Sequence, residues 1–215
     1  MLAVLFASCN ASRVVKPLDK GEKAVSASFG GPNIIYAGSP MPLPLTSVAY
    51  AHGIDTGLTI AAGLHMTDLA FGVIHTDVVA GINAYKSKSE NFGVTVSPGL
   101  HFLVDVHETN FRTYPQLDAL CWWNYLEEKE HHFYGGIGTW IELNKAKAHG
   151  EVQTNELMPY LMLGHQFEWS KWNLQLEGRF IGFQHKAEDI VVDYVPIGGQ
   201  GTTGIYIGVG RRFGK

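Results

Sequence analysis

From Glu22 onward, apolar side chains alternate with polar or small ones at a period of two, the spacing of strands whose two faces meet different surroundings. Residues 92–104 carry the pattern most openly. Phe92, Val94, Val96, Pro98, Leu100, Phe102 and Val104 share one parity, against Gly93, Thr95, Ser97, Gly99, His101 and Leu103. The alternation recurs in 133–143, 157–167, 172–180 and 203–213, and more weakly in 22–30, 46–53, 57–66, 75–85 and 117–127. Together these segments predict about ten strands, within the range of about 8–12 open to a small single-chain barrel. The clear runs are 9–13 residues long, where strands of water-soluble domains average about 5–6 and a tilted bilayer-crossing strand needs about 9–11. The connections also alternate in length. Segments 53–57, 86–91, 127–132 and 168–171 are short, whereas 31–45, 66–74, 105–117, 144–155 and 185–202 are all longer. Short turns on one side and long loops on the other suit an all-β, antiparallel, up-and-down transmembrane β-barrel. A single barrel domain is expected over 22–215.

Hydrocarbon offers no hydrogen-bond partner, so such strands must pair on both edges and the sheet must close. One parity then faces lipid, and the other, polar or small, faces the lumen. Aromatic residues near the predicted strand ends, Phe92, Trp122, Trp123, Tyr125, Phe133, Phe167, Trp169, Trp172 and Phe213, suit interfacial girdles.

Composition agrees. Of 215 residues, 46% are hydrophobic and only 17% charged, where soluble domains carry about 25% charged residues. The net charge of −4 comes with no basic stripe, which argues against a nucleic-acid partner. Two cysteines, Cys9 and Cys121, indicate no disulfide framework. Cys121 shares its parity with Ala119, Trp123 and Tyr125 and is expected to face lipid. Residues 1–9, Met-Leu-Ala-Val-Leu-Phe-Ala-Ser-Cys, form a short apolar stretch that ends in small residues and a cysteine. They read as a truncated signal segment, similar to the lipobox of bacterial lipoproteins, with Cys9 the expected lipidation site. Residues 10–21 are polar and aperiodic and read as a tether.

The stretch Gly204-Ile205-Tyr206-Ile207-Gly208-Val209-Gly210-Arg211-Arg212-Phe213 resembles the closing strand of Gram-negative outer-membrane β-barrels, although Gly214 and Lys215 follow the aromatic. Pro98-Gly99-Leu100-His101 and Gly164-His165-Gln166-Phe167-Glu168-Trp169 resemble uncharacterised small barrels of Bacteroidetes-like bacteria. The resemblance implies an outer-membrane location. It also implies contact with membrane lipids and lipopolysaccharide, and recognition by the barrel-insertion machinery through the strand ending at Phe213.

On the lumen parity, His65, His101, Glu142, Glu177, Arg179 and Arg212 are expected to form a polar network that fills the bore and holds the strands in register. An eight-stranded interior is just filled by side chains, so a wide pore is not expected. At the predicted outer rim stand His75, Asp77, Asp105, His107, Glu108, His185, Glu188, Asp189 and Asp193. Imidazoles beside carboxylates can bind metal or act as bases, but no close spacing here fixes a metal geometry. No metal, cofactor or catalytic residue is therefore assigned. Loop 31–45, rich in proline and apolar residues, is expected to cap the mouth or dock a protein partner. Three functional readings compete. The favoured one is a non-enzymatic outer-membrane barrel with a structural or interaction role or a narrow channel. The others are a rim protease or lipid-modifying enzyme, and a soluble lipocalin-like carrier with its apolar parity inside.

Overall fold

The computed structural model describes residues 10–107, 110–125, 131–144, 156–186 and 193–214. Among them the strands are β1 (Lys23–Tyr36), β2 (Ser39–Pro42), β3 (Thr46–Asp55), β4 (Leu58–His65), β5 (Val73–Lys86), β6 (Phe92–Asp105), β7 (Asn110–Asn124), β8 (His131–Ile141), β9 (Leu157–Trp169), β10 (Trp172–Lys186) and β11 (Gln200–Phe213). A five-residue helix, α1 (Met66–Ala70), joins β4 to β5. Each long strand pairs antiparallel with its neighbours, and β11 closes on β1 from Lys23↔Phe213 to Pro32↔Gly204. The described strands thus form a ten-strand barrel, with β2 an extra strand beyond its mouth. No lipid-facing sheet edge is left open, as hydrocarbon demands.

The parity runs as expected. Val48, Val78, Leu117, Ile137, Leu161, Leu176, Ile205 and Val209 are exposed on the outer wall, whereas the residues between them are buried in the lumen. A lipocalin-like arrangement requires the opposite. Aromatics gather at the end that carries Lys23, Phe213 and the tight turns, the periplasmic end by the rule that turns are short there. Trp123 stacks on Phe133 with ring centroids 5.9 Å apart, and Phe92, Tyr125, Trp169, Trp172 and Phe213 are exposed beside them. Cys121 faces outward with them. Trp122 departs from the expectation: it is fully buried, and its indole N–H donates to Thr95 Oγ1 inside the lumen. Its parity is opposite to that of Trp123, so a strand cannot present both rings to lipid.

Two connections differ from the sequence reading. β7 begins at Asn110 rather than 117, so the outer loop there is short. Thr113 and Pro115 interrupt the apolar parity and hide the strand, yet Leu100 pairs with Pro115 and Val104 with Phe111. Segment 31–45 is not an inward cap. β1 runs on to Tyr36 and turns back through β2, with its base packed on Leu45 and its tip, Ile35, Tyr36 and Met41, exposed.

The largest departure is residues 10–21. Instead of hanging free as a tether, Asn10, Ala11, Ser12, Val14, Val15 and Leu18 are buried inside the cylinder. The segment leaves at the periplasmic rim, where Gly21 N–H donates to Gly53 O. It lies along a wall of small lumen-facing residues, Ala24, Ser26, Ser28, Ala51 and Thr59. The fit is close. A Cβ on Gly81 would come within 2.3 Å of Val14, and one on Gly63 within 2.3 Å of the Arg13 guanidinium. The opposite wall carries the bulk: Tyr114, Trp122, Tyr134, Trp140, Tyr160 and Tyr206.

Candidate functional site in the lumen

Polar groups sealed in a lumen must find partners within the protein. The described residues do so in two clusters. The first lies toward the outer mouth on β4, β5 and β6. His65, His75, Asp77 and His101 all point inward and are at most 1% exposed. The register brings them together: Gly63 pairs with Asp77, and Asp77 with His101. His65 Nε2 lies 2.9 Å from Asp77 Oδ2, and the Arg13 guanidinium of the lumen segment grips both oxygens of Asp77 at 3.1 and 2.7 Å. The His65 ring stacks on His75, with centroids 3.6 Å apart and planes 4° from parallel. His75 Nδ1 meets Asp68 Oδ2 at 2.5 Å, and His75 Nε2 lies 3.0 Å from His101 Nδ1. His101 Nε2 is 2.6 Å from Gln116 Oε1, and the His101 ring lies against Trp140. From Gln116 the chain of contacts continues, since its amide donates to Asp118 at 2.7 Å and to the Tyr160 hydroxyl at 3.0 Å.

The second cluster is on β8–β11. Arg179 Nε donates to Glu177 Oε1 at 2.6 Å, and its guanidinium lies over the rings of Tyr160 and Tyr206. Glu177 Oε2 accepts from the Tyr134 hydroxyl at 2.8 Å and from the Ser12 N–H at 3.2 Å.

Of the residues expected in the lumen, His65, His101, Glu177 and Arg179 stand in these clusters. Arg212 lies apart, donating to Glu168 Oε1 at 2.5 Å near the periplasmic end. Glu142 sits at the outer mouth, where its carboxylate accepts from Asn144 at 2.8 Å. His75 and Asp77, read as rim residues, are lumen residues instead. β5 starts at Val73, so both lie inside the strand on its inward parity. The remaining rim residues that are described do not converge. Asp105 accepts the His107 N–H at 2.8 Å at the end of β6, while His185 reaches Leu157 O on the far side of the ring. Cys9, Glu108, Glu188 and Asp189 fall outside the described residues. Sequence reasoning missed Arg13, Asp68, Gln116, Asp118, Tyr134 and Tyr160. The last four share the lumen parity and were open to it, whereas Arg13 and Asp68 lie outside the barrel strands.

No family model and no curated protein matches the sequence. Solved structures do match in shape. An outer-membrane channel from Pseudomonas putida F1 superposes with a TM-score of 0.55 at 8% identity, covering 94% of this chain and 99% of that one. The translocator domain of the autotransporter NalP from Neisseria meningitidis gives 0.44 at 13% identity, covering 93% and 91%. The NanC porin gives 0.46 at 9% identity, covering 88% and 98%. The fold is that of the bacterial outer-membrane β-barrels. With its apolar, aromatic-banded exterior, the protein belongs in that membrane.

Proposed function

We propose that this protein is a plugged, non-conducting outer-membrane barrel that works through its outer surface, as a structural or interaction protein, rather than by passing solutes. The observation that carries this reading is the lumen segment. Residues 10–18 lie along the bore, fixed by Arg13 on Asp77 and by Leu18 N–H on Thr59 Oγ1 at 2.7 Å. Among the described residues the cavity beside them is about 70 Å³, room for a few waters. The surface offered to a partner is the β1–β2 hairpin, whose exposed Ile35, Tyr36 and Met41 form an apolar tip on a braced base. Phe213, exposed at the periplasmic end of β11, suits recognition by the insertion machinery. A lipid on Cys9 would sit about 3.8 Å of chain from the buried Asn10. Acylation and the docked segment are therefore alternative states of the same residues.

The test is electrical. In a planar bilayer the full chain is expected to give no stepwise conductance, while a chain lacking residues 1–18 conducts. Steady channels from the full chain would overturn the reading.

A further inference from the structure

We propose that His65, His75 and His101 form a binding site for one divalent transition-metal ion of the zinc type, held in the lumen by three imidazole nitrogens. One ring nitrogen from each of the three lies within 4.8 Å of the others. The neighbours decide which nitrogens these are. The Gln116 amide nitrogen donates to Asp118 and Tyr160, so its oxygen is the atom facing His101 Nε2, and that nitrogen carries the proton. The carboxylates of Asp77 and Asp68, when ionised, only accept, which places protons on His65 Nε2 and His75 Nδ1. Every outward nitrogen is then a donor, and every inward one offers a lone pair.

Two of those lone pairs, on His75 Nε2 and His101 Nδ1, face each other at 3.0 Å. Such a contact is repulsive unless a cation lies on or between them. The third, His65 Nδ1, is buried and has no hydrogen-bond partner among the described residues. Local charge points the same way. Asp68 and Asp77 bring two negative charges and Arg13 brings one positive, leaving an excess negative charge sealed from water. Imidazole nitrogen suits zinc, copper, nickel and iron rather than magnesium or calcium. A zinc ion with nitrogens at about 2.0–2.1 Å needs them roughly 3.3 Å apart, so the 3.0 Å His75–His101 contact opens slightly, the wider separations close, and the stacked His65 and His75 rings turn toward the ion. Imidazoles anchored by carboxylate or carbonyl acceptors on their far nitrogens are the usual outer shell of such sites. Three ligands leave a fourth coordination position for water.

The proposal does not depend on whether the bore conducts, and its test is separate. Untagged full-length protein is refolded in detergent with Zn²⁺ or Co²⁺, then desalted, and its metal is counted by mass spectrometry. One ion per folded chain is expected, with the visible absorption of four-coordinate Co²⁺ in the cobalt form. His101→Phe should lose both. Folding of each variant is read from heat-modifiable gel migration. Should His101→Phe fail to fold, Gln116→Met leaves the ligands in place and should weaken affinity about 10–100-fold. Absence of stoichiometric metal in the native chain overturns the proposal. Equal binding by native chain and variants also overturns it, since the metal would then sit elsewhere.

Discussion

The two buried clusters use similar residue types to opposite effect. Around Glu177 and Arg179 the hydrogen bonding closes: the carboxylate meets the guanidinium, both its oxygens are occupied, two tyrosine rings flank the guanidinium, and the neighbouring Asp118 accepts from Tyr160 and Gln116. Such a network spans β8 to β11 and the lumen segment and fixes how they meet. Around His65, His75 and His101 it does not close. Among the described residues His65 Nδ1 and Asp68 Oδ1 lack partners, His75 Nε2 faces His101 Nδ1 at 3.0 Å, and carboxylates outnumber the guanidinium. A satisfied network locks a fold, whereas the open one around the histidines is the network that the proposed cation would complete. The contrast can be broken by experiment.

The largest effect is expected at the satisfied cluster. Glu177→Ala leaves Arg179, 5% exposed, without its carboxylate. Breaking a buried pair from one side costs about 3–5 kcal/mol. Reversible urea unfolding in lipid or detergent measures it. A loss below about 1 kcal/mol, the worth of an exposed pair, would mean that water reaches Arg179 and that this cluster is no lock.

Next comes the wall that seals both clusters from bulk water. Leu100 points out from the middle of β6, one residue from the inward His101. Leu100→Arg should cost about 2–4 kcal/mol near the bilayer midplane, read by the same unfolding in vesicles. A cost near zero would put water, not acyl chains, against this face, and the low-dielectric setting of both clusters would go with it.

The barrel was legible because a lipid-facing wall needs period two at every strand, and a single strand such as β6 states that locally. The lumen segment was not legible, since residues 10–21 have no period of their own. Their signal lies elsewhere, in the small side chains Ala24, Ser26, Ser28, Ala51, Thr59, Gly63 and Gly81, which form a trough only after four strands have paired. The site was half legible for a similar reason. Parity placed His65 and His101 inside. Their convergence with His75 depends on the stagger between β4, β5 and β6, which no single strand encodes. Arg13 and Asp68 complete the cluster from the lumen segment and from α1, the parts whose own sequence carries no alternation.

The smallest expected effect is the one that most sharpens the contrast. Replacing Asp68 and His75 together by Leu and Phe removes one carboxylate and one of the two opposed lone pairs, while an aromatic ring remains to stack on His65. Arg13 and Asp77 are then left one against one. Replacing both partners of a buried hydrogen bond by apolar groups of similar shape is nearly neutral or stabilising, so in chelator the double variant should unfold within about 1 kcal/mol of the native chain. The single His75→Phe should do worse, because it strands Asp68 at 1% exposure without its imidazole. Unfolding in urea with and without chelator separates the cases. If the double variant instead falls as far as Glu177→Ala, the histidine cluster also holds the barrel together, and a ligand is no longer needed to account for its composition.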